Sequence, residues 1–314
     1  MAVRVLLLLV VALAMSLGTS AAAGAATPAV AIVTSDHSPD YVEAIEAIQV
    51  ELARGGYSRG DWTVIDASEL SPQTFTGSPP RLVVALGTPA AQALARTEIK
   101  QPRLFSLLTR HSFESLFAGR KTPQQPPASA VYLDQPISRQ LDLLRLALPE
   151  HRRIGVLLGP ASLNQTPKLE NVAAERGFLI SSAYVEDSKS LYTGLQHVVN
   201  ESDILMAFPD PLVFNANTIQ NILLTSFRAR VPLFAFSPAY VKAGALLALY
   251  STPRQFGVQT GSIARAFLQG KPLPAPQYPV EYTVSVNHYV ARSLGLSLDE
   301  AVLLKRLMHI EKPQ

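Results

Sequence analysis

No cysteine occurs at any of the 314 positions. That single absence removes disulfides, thiolate nucleophiles, sulfur-ligated metals and a lipid-modified cysteine. Charge of one sign is also scarce: 27 Lys and Arg stand against 24 Asp and Glu, a formal net charge of +3, with no Lys/Arg block or basic stripe. Nucleic acid is therefore not an expected partner. Long apolar runs are confined to the beginning, where Arg4 is followed by VLLLLVVALAMSLG (5–18) and then by the small-residue run TSAAAGAAT (19–27). The apolar run is shorter than the roughly 20 residues a membrane-spanning helix needs. Its layout is that of a secretory signal with an Ala-x-Ala site, so residues 1–26 are expected to be cleaved near Ala25. An uncleaved anchor is the competing reading of the same run. Export without disulfides points to a bacterial periplasm.

Catalytic signatures are lacking too: the chain has no GxGxxG, Walker loop, GxSxG elbow or HExxH. The six histidines, at 37, 111, 151, 197, 288 and 309, show no metal-ligand spacing, and no cofactor is expected. Asp36 and His37 could form an acid/base pair, but no nucleophile recurs nearby, so an enzyme is not the expectation.

What is present is apolar periodicity, with 48% of residues hydrophobic and length enough for two domains. Short Val/Ile/Leu-rich runs predict strands at 29–35, 61–67, 81–87, 102–109, 152–159, 178–186, 203–209, 232–236 and 245–251. Several are apolar at every position, as in parallel strands covered on both faces. Helix-period segments lie between them at 40–54, 89–97, 137–148, 165–176, 190–200, 215–229 and 254–269. This alternation predicts an α/β fold of two doubly wound parallel sheets. The break is expected at AGRKTPQQPPAS (118–129), with four strands before it and five after. The stretch 68–80, with three prolines, reads as a loop carrying at most one helical turn.

Ligands of open α/β sheets collect at the carboxyl ends of the strands. One such end is LVVALGTPAAQALA (82–95), where Gly87 permits a tight turn, Thr88 is a suitable N-cap and Pro89 fits the first helical position. Free amides of Ala90 and Ala91 would then favour an anion in the crevice. The same residues also read as a well-capped helix and nothing more. On the same rim lie Ser35, Asp36 and His37 after the first strand, and Thr109, Arg110 and His111 after the fourth. The second sheet offers a facing rim, with Ser162 and Asn164 in GPASLN (159–164), Asp210 in PDP, Phe236 and Ser237 in FSPAY, and Tyr250 and Thr252 in YSTP. Phe208, Phe236, Tyr240 and Tyr250 could stack on a flat ligand, or serve only as core and hinge packing. The two rims make a cleft in which Ala90 would face Asp210 across solvent.

The segments GTPAAQALA (87–95), QLDLLRLALPEHRRIGVLLGP (140–160), VKAGALLALYSTPRQFGVQTGSIARAFLQGKPLP (241–274) and VSVNHYVARSLGLSL (284–298) resemble a known family. The chain is similar, from about residue 29 to 300, to the substrate-binding proteins of ABC importers related to the tryptophan and tyrosine binders. The resemblance implies a two-lobed, hinged, type I periplasmic-binding fold, with crossings near 128–136, 250–254 and 276–284. The lobes are then expected at 27–130 plus 253–278 and at 131–252 plus 279–314. It also implies a monomeric, non-catalytic periplasmic receptor that closes on a small molecule and presents itself to a permease. Thr88 to Ala91 would receive the ligand carboxylate. A sensor or adaptor of the same fold, reporting to a membrane signalling protein or outer-membrane receptor, is the alternative.

The departures matter as well. Arg110, Ser237-Pro238 and Thr252 stand where relatives carry acidic residues, while Asp210 keeps its acid. Losing carboxylates that hold an amino group implies a ligand less cationic than an ordinary amino acid, such as an aromatic or aliphatic carboxylate.

Overall fold

Two separate sheets organise the chain in the computed structural model, which describes residues 28–97, 99–118 and 126–311. The expected export segment and most of the proline-rich break lie outside the described residues. The first sheet contains β1 (Val30–Thr34), β2 (Trp62–Asp66), β3 (Leu82–Leu86), β4 (Arg103–Leu108) and β5 (Ala128–Tyr132) in the order β2-β1-β3-β4-β5. The second contains β6 (Arg153–Leu158), β7 (Leu179–Tyr184), β8 (Ile204–Met206), β9 (Leu233–Ala235), β10 (Leu247–Tyr250) and β11 (Thr283–Val286) in the order β11-β10-β9-β8-β6-β7. All neighbours are parallel except β10 and β11.

The helices are α1 (Pro39–Arg54), α2 (Thr88–Arg96), α3 (Arg110–Phe117), α4 (Ile137–Ala147), α5 (Thr166–Glu175), α6 (Ser188–Glu201), α7 (Ile219–Arg228), α8 (Pro238–Ala243), α9 (Pro253–Leu268), α10 (His288–Ser293) and α11 (Glu300–Glu311). β1 and β3 are buried along their whole length because helices cover both faces of the sheet. Val33, Val83, Ala85 and Phe105 pack against Ala90, Ala91 and Leu94 of α2 and Phe113 of α3. On the opposite face, Val30, Ile32, Val84 and Leu104 meet Ile45, Ile48 and Leu52 of α1 and Ala264 and Leu268 of α9. The second sheet is covered in the same way by two further clusters.

Two strands depart from the expected count of four and five. β5 falls in the segment read as a break and crossing, because Ala128, Ser129 and Ala130 carry little strand signal of their own. Its pairing with β4 places it. β11 is a short edge strand with every second residue buried. Helices α3, α8, α10 and α11 also go beyond the expectation; α8 and α10 have only six residues each. α11 hides its period because Val302, Met308 and Ile310 are exposed on its outer side. Between β2 and β3 a short 3-10 turn at Ala67–Glu69 is followed by irregular chain whose Leu70 and Phe75 pack against the core.

After β5 the chain leaves the first sheet for α4 in the second layer system; after β10 it returns as α9, which lies along α1; it then comes back as β11. Three connecting segments thus join the lobes. Arg139 of α4 braces them. Its guanidinium donates to Gln135 Oε1 at 2.8 Å, to the Pro279 carbonyl at 2.9 Å and to Glu311 Oε1 at 2.7 Å.

Candidate functional site

A cleft of about 340 Å³ opens between the lobes. The first lobe contributes Asp40 and Tyr41 at the start of α1, Leu107 of β4, and Pro253 and Phe256 of α9; the connecting segments contribute Leu133, Asp134, Gln135 and Ser251. From the second side come Phe208, Pro209, Phe236, Ser237, Pro238, Leu249 and Tyr250, with Gln140 and Gln165. Most of these positions follow the carboxyl ends of strands, where the strand orders place a ligand crevice. Leu107 lies in the left-handed region, with φ of 57°, where the register of β4 against β5 shifts between Ser106 and Leu108. A bulge that holds a non-glycine residue there is strained backbone at the wall of a cleft, a combination that clusters at functional sites.

At the anion-favouring turn of α2 the Ala90 and Ala91 amides are already taken. Ser35 Oγ accepts from the Ala90 amide at 3.0 Å and donates to the Leu86 carbonyl at 2.6 Å, while the Ala91 amide donates to the Gly87 carbonyl at 3.1 Å. Ala90 and Ala91 are fully buried. The expectation of free amides at this turn is therefore corrected: side chain and helix already satisfy both. Thr88 and Pro89 sit inside α2, and the capping position belongs to Gly87, at φ of 85°. A side chain there would strike the Tyr41 hydroxyl and Ser35 Oγ, so glycine is required by conformation and by space alike. Burial raises the Tyr41 phenol above its ordinary pKa, and its hydrogen bond with Ser35 opposes that shift.

Several other expected site residues act as local structure. Asp36 accepts from the Ser38 amide at 2.7 Å, and that turn lowers its pKa. His37 is 3.2 Å from Asp66 rather than paired with Asp36. Thr109 caps α3 by accepting from the Ser112 amide at 3.1 Å. Thr252 and Gln255 form a reciprocal capping box at the start of α9. Asp210 is 2% exposed and accepts from the Ala161 amide at 3.0 Å, Ser162 Oγ at 2.9 Å and the Leu212 amide at 3.0 Å. It ties two loops of the second lobe together, so the expected view from Ala90 across solvent to Asp210 is also corrected. Arg110 turns to Glu114 at 2.6 Å and to the Tyr278 hydroxyl at 3.4 Å. His111 and Asn164, from opposite rims, meet at 2.9 Å between Nδ1 and Nδ2. Phe236, Ser237 and Tyr250 line the cleft, whereas Tyr240 packs on Phe236 and donates to the Phe214 carbonyl.

Comparison with known proteins bears on this geometry. The model of the ABC transporter substrate binding protein family matches residues 43–310. The chain belongs to that family. Among solved structures, a conserved domain protein from Vibrio cholerae O1 biovar El Tor is 24% identical, with a TM-score of 0.63 over 88% of this chain and 98% of its own. An ABC domain from Streptococcus pneumonia in complex with L-Trp is 19% identical, with a TM-score of 0.64 and coverages of 88% and 98%. A substrate-binding protein with adhesive properties from Clostridium difficile, in its ligand-free, open form, is 19% identical, with a TM-score of 0.68 and coverages of 86% and 95%. At these identities the likeness establishes the two-lobed periplasmic-binding-protein fold. No curated protein matches the chain.

In this substrate-binding protein the sequence left Tyr41, Leu107, Asp134, Gln140, Gln165 and Phe256 unmarked, although all six line the cleft. Recognising 128–132 as a strand would have flagged Leu133, Asp134 and Gln135, since they follow its carboxyl end. Leu107 carries no sequence signal, because its bulge arises from strand pairing. Asp134 accepts from the Arg110 amide, yet burial raises its carboxyl pKa. A raised carboxyl pKa contributes stability below the ordinary carboxylate range and loses it as pH rises through the folded value. Asp134→Asn, which retains the acceptor for the Arg110 amide, is expected to raise the thermal midpoint at pH 7. That gain shrinks as pH falls and disappears in melts below about pH 3, where the carboxyl is neutral in both states.

Proposed function

We propose that this family member is a periplasmic solute receptor of an ABC importer that closes its two lobes on a small molecule in the cleft. The observation that carries the reading is the cleft itself: a walled, mainly apolar space between two lobes, bordered by strained backbone at Leu107. Closure would draw on the three connecting segments, since hinges of this kind absorb the motion in a few residues. The contact between His111 and Asn164 links the rims directly. The Ala90 and Ala91 amides, where a carboxylate was first expected, are already bonded, and none of Thr88 to Ala91 lines the cleft, so the ligand's recognition falls to the residues that do.

Native mass spectrometry of the chain recovered from its own periplasm tests the reading, and a retained small molecule is the expected result. Adding that molecule at a hundred times its dissociation constant should raise the unfolding free energy by about 2.7 kcal/mol. A chain that retains nothing and responds to no periplasmic extract would refute the proposal. A pull-down that recovers a signalling protein in place of permease subunits would assign the same cleft to the sensor alternative.

A further inference from the structure

We infer that the solute is a small, largely apolar compound that carries a hydrogen-donating amine and no carboxylate. The inference deepens the receptor reading and rests on it. Among the described residues, no Lys, Arg or His lines the cleft; its charged side chains are Asp40 and Asp134. The guanidinium groups nearby are engaged elsewhere, Arg139 with Gln135, Pro279 and Glu311, and Arg110 with Glu114 and Tyr278. The Ala90 amide is taken by Ser35 and none of Thr88 to Ala91 lines the cleft, so a carboxylate brought into this space would exchange water for two acids and no cation. Ser237 and Gln165 offer an anion only neutral donors and no counter-charge, whereas an ammonium group finds a carboxylate at Asp134.

The acceptors are specific. Gln140 is 7% exposed and donates its Nε2 to the Gln135 carbonyl at 2.9 Å, which leaves its Oε1 as an acceptor at the cleft wall. Gln135, by contrast, is held through both ends of its amide by Arg139 and Ser251. Asp134 receives the Arg110 amide on Oδ2, and its remaining acceptor capacity is available to an ammonium group. Burial raises the Asp134 pKa and outweighs the opposing pull of the Arg110 amide and the nearby Arg110 charge, so its charged form is only partly compensated when the cleft holds no cation. An amine at this carboxylate supplies that compensation. Tyr41, Phe236 and Tyr250, backed by the buried Phe208 and Phe256, provide the apolar and aromatic wall for the body of the ligand. At about 340 Å³ the space is at the small end of the range for small-molecule sites, roughly 300–1,000 Å³.

Calorimetry on the full chain with tryptamine, 3-methylindole, tryptophan and indole-3-propionate separates the charge classes on one ring system. Tryptamine is expected to bind at least tenfold more tightly than tryptophan or indole-3-propionate. Asp134→Asn should weaken tryptamine at least tenfold and leave 3-methylindole unchanged. Equal or tighter binding of either acid, or unchanged tryptamine binding in Asp134→Asn, would overturn the inference. The probe series on the unaltered chain stands even if the variant fails to fold. Binding of none of the four overturns the ligand class; a carboxylate-bearing solute then retained from the periplasm would leave the receptor reading intact, and nothing retained would remove both.

Discussion

Replacing Arg139 with Met is expected to remove about 3 kcal/mol of unfolding free energy, at the lower end of the cost of breaking a buried ion pair by deleting one partner. The Arg139 side chain is 10% exposed and that of Glu311 28%, so solvent reaches one partner and moderates the effect. Deletion would nevertheless leave the Gln135 Oε1, the Pro279 carbonyl and one carboxylate oxygen of Glu311 without their donor. The guanidinium also lies 4.1 Å from the centre of the Tyr282 ring, and the Tyr282 hydroxyl donates to the other Glu311 oxygen at 2.6 Å. Burial, followed by that hydrogen bond, pushes the Tyr282 phenol pKa upward. Lys cannot reproduce the planar fork that reaches three acceptors at once, so Arg139→Lys should recover less than half of the loss. Denaturant unfolding measures both variants. A loss under about 1 kcal/mol for Arg139→Met would show that the cluster is only a solvated surface pair.

The other large effect lies on the helix that returns to the first lobe. A Cβ on Gly257 of α9 would collide with the Ala44 carbonyl and lie 2.6 Å from Ala47 Cβ of α1, both of them rigid helix atoms. One turn on, a Cβ at Gly261 would lie 2.6 Å from Glu51 Cβ. Gly257→Val should therefore push α9 off α1 and cost about 3 kcal/mol, the upper end for overpacking. Gly60→Ala is the matched comparison, since nothing lies within 4 Å of its Cβ position. It should change stability by less than about 0.5 kcal/mol. Because α9 follows directly on a connecting segment that lines the cleft, Gly257→Val should also weaken whatever ligand response the unaltered chain shows. Chemical denaturation and thermal shift with retained solute read the two effects separately.

Legibility differed between scaffold and site. β1 and β3 announce themselves because every position is buried beneath a helix layer, and β6 does so after its exposed Arg153; such runs of Val, Ile and Leu are visible without any partner. β5 does not, since small residues make a strand only when β4 supplies its ladder. At the site, the rim rule led to Phe236, Ser237 and Tyr250, which line the cleft, and also to Ser35, Thr109, Asp210 and Thr252, whose polar atoms are engaged in caps and loop ties. A Ser, Thr or Asp after a strand is as well suited to capping a helix as to holding a ligand. Residue type alone does not separate the two.

The sequence by itself determined the alternation of strands and helices, the two-lobed α/β architecture and membership in the substrate-binding family, because burial periodicity and long matching segments are carried along the chain. Only the tertiary structure decided which polar atoms remain open at the cleft. Hydrogen-bond partners are chosen by distance and direction after the elements pack, so Ser35, just past the end of β1, takes the Ala90 amide of α2, Asp210 turns inward to Ser162, and Asp134 is left at the wall of the cleft.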